Sequence, residues 1–176
     1  EDKSNPLRGW ITEYPGEGHY GGNKGFVTVK DELDGRQGVL CLLPGRESGG
    51  GVKVDSKPIP FDPEGNYRFS AEARKTPGPG CRMMIEGYRW KPGIMPHENP
   101  KLTELRKCYR FKQIYFGSQK SGVMAGVTDK WKKAERVFPE KDMSPLARKH
   151  FNRVEFLVVH IVKVTGESGH LFIDNV

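Results

Sequence analysis

The last seven residues, His-Leu-Phe-Ile-Asp-Asn-Val, place an acid among apolar side chains. In an extended strand Asp174 shares one side with Phe172 and Val176, and Ile173 points to the other side. A carboxylate in apolar surroundings needs a metal ion, a cationic side chain or backbone N–H donors to offset its desolvation. Asp174 is therefore a candidate calcium ligand, and a solvated acid on an edge strand is the alternative.

A second group of side chains combines aromatic rings with arginine and glutamate. These residues fall on the more polar face of three stretches that alternate apolar and polar positions. If the apolar face is buried, the polar face is open to ligands. Guanidinium groups form paired hydrogen bonds with carboxylate or sulfate, and rings supply apolar surfaces for stacking. The outward residues predicted in this way are Arg68, Ser70, Glu72, Arg74, Arg82, Met84, Glu86, Tyr88, Trp90, Arg153, Glu155 and Leu157.

Short strands position these residues. Glycine and proline, at 22 and 13 residues, punctuate the apolar runs, and the pattern of strands without a long helical period predicts an all-β sandwich. One helical turn is predicted after Ser144-Pro145, followed by one long strand over residues 151–164. The residues predicted to face the core are Tyr67, Phe69, Ala71, Ala73, Val154, Phe156 and Val158.

The chain has 176 residues and a formal net charge of +7, and 35% of its residues are hydrophobic. We therefore expect one domain, residues 1–176, with a hydrophobic core. The positive excess permits a polyanionic partner without demonstrating one. No stretch approaches the roughly 18 apolar residues of a membrane-spanning helix, so no membrane partner is expected. The chain begins Glu-Asp-Lys-Ser-Asn and stops within a strand, which predicts a domain excised from a longer protein.

Three cysteines, Cys41, Cys81 and Cys108, allow one disulfide at most, and which two would be joined is left open. No Cys-x-x-Cys spacing predicts a zinc site. The densest basic run, residues 130–133, alternates with apolar residues and predicts a solvated strand face. Nucleic-acid binding is therefore not expected.

Five stretches, spread over nearly the whole chain, match a common pattern. They are Gly9-Trp10, the apolar strand Gly38-Val39-Leu40-Cys41-Leu42, the alternating strand Gly65–Arg74, Trp131 followed by Phe138, and the closing Phe172-Ile173-Asp174-Asn175-Val176. In this order they resemble the jelly-roll carbohydrate-binding modules of the family four, nine and twenty-two type. The resemblance implies an all-β, galactose-binding-like fold: a jelly-roll β-sandwich of two antiparallel sheets. Residues 91–130 match the pattern poorly and are predicted to form an elaborated loop.

The resemblance implies a non-catalytic module that binds a polysaccharide or oligosaccharide. Such modules are accessory domains, usually joined to a secreted glycan-degrading enzyme. This implies neighbouring domains of a parent protein and a secreted, cell-surface or periplasmic location. The resemblance also implies a structural calcium ion, bound by Asp174 and by backbone carbonyl groups near Asn5 and Gly38. Leu7-Arg8 stands where many members have Phe-Glu, which departs from the calcium-binding pattern.

The same resemblance places a binding tyrosine on the first strand, at the position of Tyr14. Related grooves for neutral glucans use asparagine and glutamine, whereas the open face of this chain carries arginine and glutamate. Because arginine pairs with carboxylate and sulfate groups, we expect a preference for acidic or sulfated glycans. The residues predicted to contact carbohydrate are Tyr14, Arg68, Glu72, Tyr88, Trp90 and Arg153.

Two alternatives stay open at this point. A jelly roll can also carry a polysaccharide lyase or a glycoside hydrolase, for which Glu72, Glu86 and Glu155 are candidate carboxylates. A structural domain that has lost sugar binding and serves only in assembly would instead expose an apolar patch.

Overall fold

The structure is a computed structural model that describes residues 7, 9–11, 26–43, 52–76, 81–111, 114–116, 124–125, 129–140, 143–163, 170–174 and 176. The helices of this part are α1 (Pro145–Phe151) and a 3-10 helix at Leu102–Glu104. Its strands are β1 (Trp10–Ile11), β2 (Phe26–Leu33), β3 (Arg36–Leu43), β4 (Val52–Ser56), β5 (Ile59–Pro60), β6 (Tyr67–Lys75), β7 (Cys81–Trp90), β8 (Leu105–Arg110), β9 (Ile114–Phe116), β10 (Met124–Ala125), β11 (Lys132–Phe138), β12 (Phe156–Lys163) and β13 (Leu171–Asp174).

The strands form two sheets that enclose the main hydrophobic core. The eight-stranded sheet has the order β1–β4–β12–β7–β9–β10, with β5 beside β12 and β8 beside β7. The five-stranded sheet has the order β11–β6–β13–β3–β2. Within the described ladders the pairing is antiparallel, except that the short strands β9 and β10 run parallel. The prediction of an all-β, jelly-roll sandwich of two antiparallel sheets is confirmed.

Strand β6 has the orientation that its alternating sequence predicts. Phe69, Ala71 and Ala73 are buried in the core, Tyr67 packs against them, and Arg68 is exposed on the outer face. The closing strand β13 lies directly beside β6, and β11 lies on the other side of β6. The polar face of β6 is therefore the outer face of the five-stranded sheet.

The predicted orientation of β12 was wrong. Leu157, Val159 and Ile161 belong to the core between the sheets, whereas Phe156 and Val158 lie on the outer face of the eight-stranded sheet. All five side chains are buried, and β12 runs between β4 and β7 in the interior of the eight-stranded sheet. A strand that is apolar on both faces gives no alternation from which its orientation could be predicted.

The long strand predicted over residues 151–164 begins later, at Phe156, because Phe151 is the last residue of α1 and residues 152–155 connect α1 to β12. Ser144 caps the helix, since its hydroxyl accepts a hydrogen bond from the backbone N–H of Ala147 at 3.2 Å, and Pro145 occupies the first turn. The helical turn predicted at this position is thus confirmed. None of the helices among the described residues has the length and hydropathy needed to span a membrane.

An aromatic cluster fills one end of the core beneath α1. The ring of Phe151, fully buried, meets Phe61 at 5.4 Å and Phe111 at 5.8 Å between centroids, both nearly edge-on. Val154 enters the same core, as predicted, and its side chain packs directly over Gly87 of β7. This contact fixes the position of the α1–β12 connection on the eight-stranded sheet.

A second, smaller apolar cluster lies on the outer face of the five-stranded sheet. Val39, Cys41 and Phe172 are buried there, and Trp131 packs against them. Cys41 and Cys108 both carry free thiols, so these two residues are not joined. Burial raises the pKa of each thiol, which keeps both in the unreactive protonated form at neutral pH.

We expect Gly87→Ala to destabilise the fold. An added Cβ atom would lie 2.5 Å from Cγ2 of Val154 and 3.1 Å from Cβ of Tyr109. Overpacking of this kind costs about 1–3 kcal/mol, measurable as a lower midpoint in urea. Gly9→Ala is the matched control, because its Cβ would meet nothing within 4 Å. Equal stabilities of the two variants would contradict the packing of Val154 on β7.

Candidate functional site

Three acidic or basic side chains are buried on the outer face of the eight-stranded sheet. Asp55 of β4, Glu86 of β7 and His160 of β12 are 0%, 5% and 2% exposed. Their strands are neighbours in the order β4–β12–β7, and Asp55 lies directly opposite His160 in the register. Alternation sends them outward, because the flanking residues Val54 and Ile85 point into the core.

His160 joins the two carboxylates. Its Nδ1 lies 2.6 Å from Oδ1 of Asp55, and its Nε2 lies 3.4 Å from Oε2 of Glu86. Ionised carboxylates only accept hydrogen bonds, so the imidazolium form, with protons on both ring nitrogens, is the one that satisfies both carboxylates. Burial by itself lowers the pKa of His160, but the hydrogen bonds to Asp55 and Glu86 outweigh it and raise the pKa. We therefore assign His160 as an imidazolium cation.

Glu86 is the centre of a wider network that reaches the surface. Its carboxylate accepts hydrogen bonds from the hydroxyl of Tyr88 at 3.2 Å, Nζ of Lys107 at 3.2 Å and Nε of Arg110 at 3.0 Å. Burial by itself raises the pKa of Glu86, but His160 and then Lys107 outweigh it and lower the pKa to about 2. Glu86 is therefore ionised at any physiological pH.

Tyr88 stays a neutral phenol in this network. Burial and the adjacent Glu86 carboxylate both raise its pKa. Its hydroxyl donates to Glu86 and its oxygen lies 3.4 Å from Nε2 of His160, so the ring is held by two partners. A phenol fixed in this way is a hydrogen-bonding group with little freedom left to lose on binding a ligand.

Cations outnumber acids in the network. At the opposite edge Lys53 places Nζ 2.7 Å from Oδ2 of Asp55. With His160 protonated, four positive groups face the two carboxylates. The side chains of Lys107 and Arg110 are 45% and 55% exposed, so part of this positive excess reaches the solvent.

Trp90 extends the same face toward the end of β7. Its ring meets Phe156 edge-on at 5.5 Å and lies 5.0 Å from the ring of His97. Trp90 is partly exposed, so it offers some ring surface to a ligand. We call the partly or fully exposed set Tyr88, Trp90, Lys107 and Arg110 the β7–β8 face.

The structure divides the predicted carbohydrate contacts between two opposite surfaces. Tyr88 and Trp90 lie on the outer face of the eight-stranded sheet, whereas Arg68 and Glu72 lie on the outer face of the five-stranded sheet. Arg153 is exposed in the turn between α1 and β12. The predicted contacts that the structure describes therefore do not share the single open face assumed for them. Tyr14 lies outside the described residues.

Sequence reasoning missed the residues that complete the network. Lys107 and Arg110 were not considered as ligand contacts, because residues 91–130 match the family pattern poorly and were predicted to form an elaborated loop. His160 was not among the residues predicted to contact a ligand. Its position inside the apolar run of β12, Phe-Leu-Val-Val-His-Ile-Val, was the signal that could have indicated burial.

The predicted calcium ligands fit a metal ion poorly. Oδ2 of Asp174 accepts a hydrogen bond from the Arg36 guanidinium at 2.7 Å, so a cation already faces this carboxylate. Gly38 lies in β3 with a left-handed φ of 68°, and Asn5 lies outside the described residues. Within the described ranges, no group of three or more His, Cys, Asp and Glu residues is arranged to hold a metal ion. Calcium binding stays a prediction.

We expect stability to be highest between pH values of roughly 5 and 6.5. The lowered pKa of Glu86 adds stability that is complete above 4.5, the ordinary value, and is lost toward pH 2. The raised pKa of His160 adds stability that is complete below 6.5 and is lost as the pH rises through its folded value. Thermal unfolding across this range measures both slopes.

His160→Gln should lower stability most at acidic to neutral pH and remove the decline above pH 6.5. His150→Gln, which changes an exposed histidine of α1, is the control and should keep the wild-type profile. An identical pH profile for His160→Gln and wild type would show that His160 does not titrate with folding.

No family model matches the sequence, and none of the curated proteins matches it. Solved structures of carbohydrate-binding modules are similar to the chain. One, a family 16 carbohydrate-binding module, has 13% identity and a TM-score of 0.48 over 86% of this chain and 82% of its own. A CBM4 structure has 12% identity and a TM-score of 0.48 over 96% and 92%. The family 11 module of the cellulosomal cellulase Lic26A-Cel5E of Clostridium thermocellum has 16% identity and a TM-score of 0.48 over 95% and 85%.

Proposed function

We propose that this protein binds a polysaccharide or oligosaccharide on the β7–β8 face, without catalysis, and that it prefers acidic or sulfated chains. One observation carries the proposal. The buried carboxylate of Glu86 holds Tyr88, Lys107 and Arg110 side by side on the β7–β8 face. A buried anion that orients three surface hydrogen-bonding groups preorganises them for a ligand.

The two kinds of contact that sugars need are both present on this face. Trp90 supplies an aromatic surface on which the apolar C–H groups of a sugar ring can stack. Tyr88, Lys107 and Arg110 supply hydrogen-bonding groups for hydroxyls. The aromatic and polar parts lie on β7 and β8, which are paired strands, so one short glycan segment can reach both.

The charge of the face supports the preference for anionic glycans. Glu86 carries one negative charge, whereas Lys107 and Arg110 carry two positive charges and are about half exposed. The remaining nitrogens of Arg110 can form charge-assisted hydrogen bonds with a uronate carboxylate or a sulfate group. A neutral glycan would leave this positive excess without a partner.

Hydrolysis by paired carboxylates is poorly supported. Glu72 and Glu86 lie on opposite outer surfaces of the sandwich, and Glu155 is exposed between α1 and β12. Asp55 and Glu86 flank His160, but both are buried against cations, and a pKa of about 2 prevents Glu86 from acting as a general acid at neutral pH.

A pure assembly role is also less well supported. The large apolar side chains that are exposed in the described residues come from β5, the loop after β7, β11, α1 and the C-terminus. Among the described residues, no two of these elements are neighbours in a sheet. A continuous docking surface would instead favour exposed apolar residues on adjacent elements. A secreted, cell-surface or periplasmic accessory domain of a longer protein is our inference from the proposed ligand, since structural polysaccharides lie outside the cell membrane.

The proposal is tested by titrating the protein with polygalacturonate, a sulfated galactan and a neutral β-glucan at low and high sodium chloride. We expect binding of the anionic chains that weakens at least tenfold as the Debye length falls from about 10 Å to about 3 Å. Arg110→Ala should weaken the binding of the anionic chains by about ten- to a hundredfold, which corresponds to the loss of one hydrogen bond between charged groups.

Arg68→Ala is the matched control, because Arg68 is an exposed arginine on the opposite sheet. It should leave affinity unchanged. Trp90→Ala should weaken the binding of every glycan that the wild type binds, whether charged or neutral. Equal losses of affinity in Arg68→Ala and Arg110→Ala would contradict the proposal. Binding of the neutral β-glucan alone, with no dependence on salt, would also contradict it.

A further inference from the structure

Two carboxylates stand side by side on the outer face of the five-stranded sheet. Glu72 of β6 and Asp174 of β13 are register partners on adjacent strands, and their side chains are 25% and 13% exposed. Like charges directly across a strand pair repel each other, and partial burial reduces the screening by water. The pair therefore needs a cation close to both oxygens.

Arg36 of β3 supplies that cation. Its Nη1 donates to Oδ2 of Asp174 at 2.7 Å and also to Oε2 of Glu72. The guanidinium carbon lies 4.3 Å from the centre of the Trp131 ring, a cation–π contact on its other side. The cationic group is thus enclosed by two carboxylates and an aromatic face.

The backbone of β3 is shaped to deliver Arg36 to this position. Leu40 and Leu42 point into the core, and strict alternation would send Arg36 the same way. Gly38 has a φ of 68°, a left-handed conformation that other residues rarely adopt, and it interrupts the alternation between them. Arg36 consequently reaches the outer face.

The turn between β2 and β3 adds a second link to the same place. Oδ2 of Asp34 accepts a hydrogen bond from Nε1 of Trp131 at 3.0 Å and another from Arg74 of β6. The hydrogen bond from Trp131, and then that from Arg74, lower the pKa of Asp34. The β2–β3 hairpin is therefore tied to β6 and to the residue before β11, which are not its neighbours in the sheet.

We propose that the Arg36 guanidinium is a built-in counter-cation for the Glu72–Asp174 pair and takes the place predicted for calcium. A calcium ion on Asp174 would lie within a few ångströms of a fixed positive charge, and the two would repel. The chain would then need no metal at its closing strand. Removing the guanidinium would leave two adjacent carboxylates, which are ligands that hard divalent cations accept.

The test compares thermal unfolding in EDTA and in millimolar calcium chloride for wild type, Asp174→Asn, Arg36→Ala and the double variant. We expect calcium to shift the unfolding temperature of wild type and of Asp174→Asn by the same amount, and a shift of zero in both also meets this expectation. Arg36→Ala should unfold several degrees lower in EDTA and recover part of the loss in calcium, through binding to the folded state. The double variant should lose this recovery.

A calcium-induced rise in wild type that Asp174→Asn abolishes would overturn the proposal, and so would an Arg36→Ala variant that folds but gains no response. If Arg36→Ala does not fold, calorimetric titration of calcium into wild type and Asp174→Asn decides. Equal heats support the guanidinium as the counter-cation in place of calcium at Asp174, and binding that is lost in Asp174→Asn overturns the proposal.

Discussion

Two carboxylates buried on one face of a sheet impose the central constraint on this molecule. Asp55 and Glu86 are almost fully inaccessible, and an isolated buried charge would cost more than a domain of this size can offset. They are tolerated because His160 lies between them on the intervening strand and because lysine and arginine side chains approach from both edges. This requirement favours the observed register of β4, β12 and β7. If one of these strands shifted by one residue, its charged side chain would turn to the opposite face of the sheet, away from the other two.

The ion pairs on the two outer surfaces of the sandwich have different arrangements. On the five-stranded sheet the charges close on each other: Arg36 lies between Glu72 and Asp174, and Trp131 covers its other side. On the eight-stranded sheet the acid lies underneath, and the cations above it are about half exposed. The first arrangement holds a hairpin in place, and the second leaves part of the positive charge exposed to solvent.

Local patterns predicted the fold class and the orientation of β6, because a half-buried strand shows its faces in its own alternation. They could not predict that Arg68 and Tyr88 lie on opposite surfaces, since this depends on which strands pair over long distances. β12 was assigned the wrong face because it is apolar on both. The partners of Glu86 on β8 follow only from the β7–β8 pairing, and local patterns do not specify which strands pair.

The buried network on the eight-stranded sheet depends most directly on the charge of His160. Nitrogen-15 NMR of the imidazole rings at neutral pH, with the His160 signals assigned from a His160→Gln sample, measures it. If His160 bridges Asp55 and Glu86 as a cation, both ring nitrogens will be protonated. A neutral ring with one unprotonated nitrogen would contradict the bridge and, with it, the ionised network that positions the β7–β8 face.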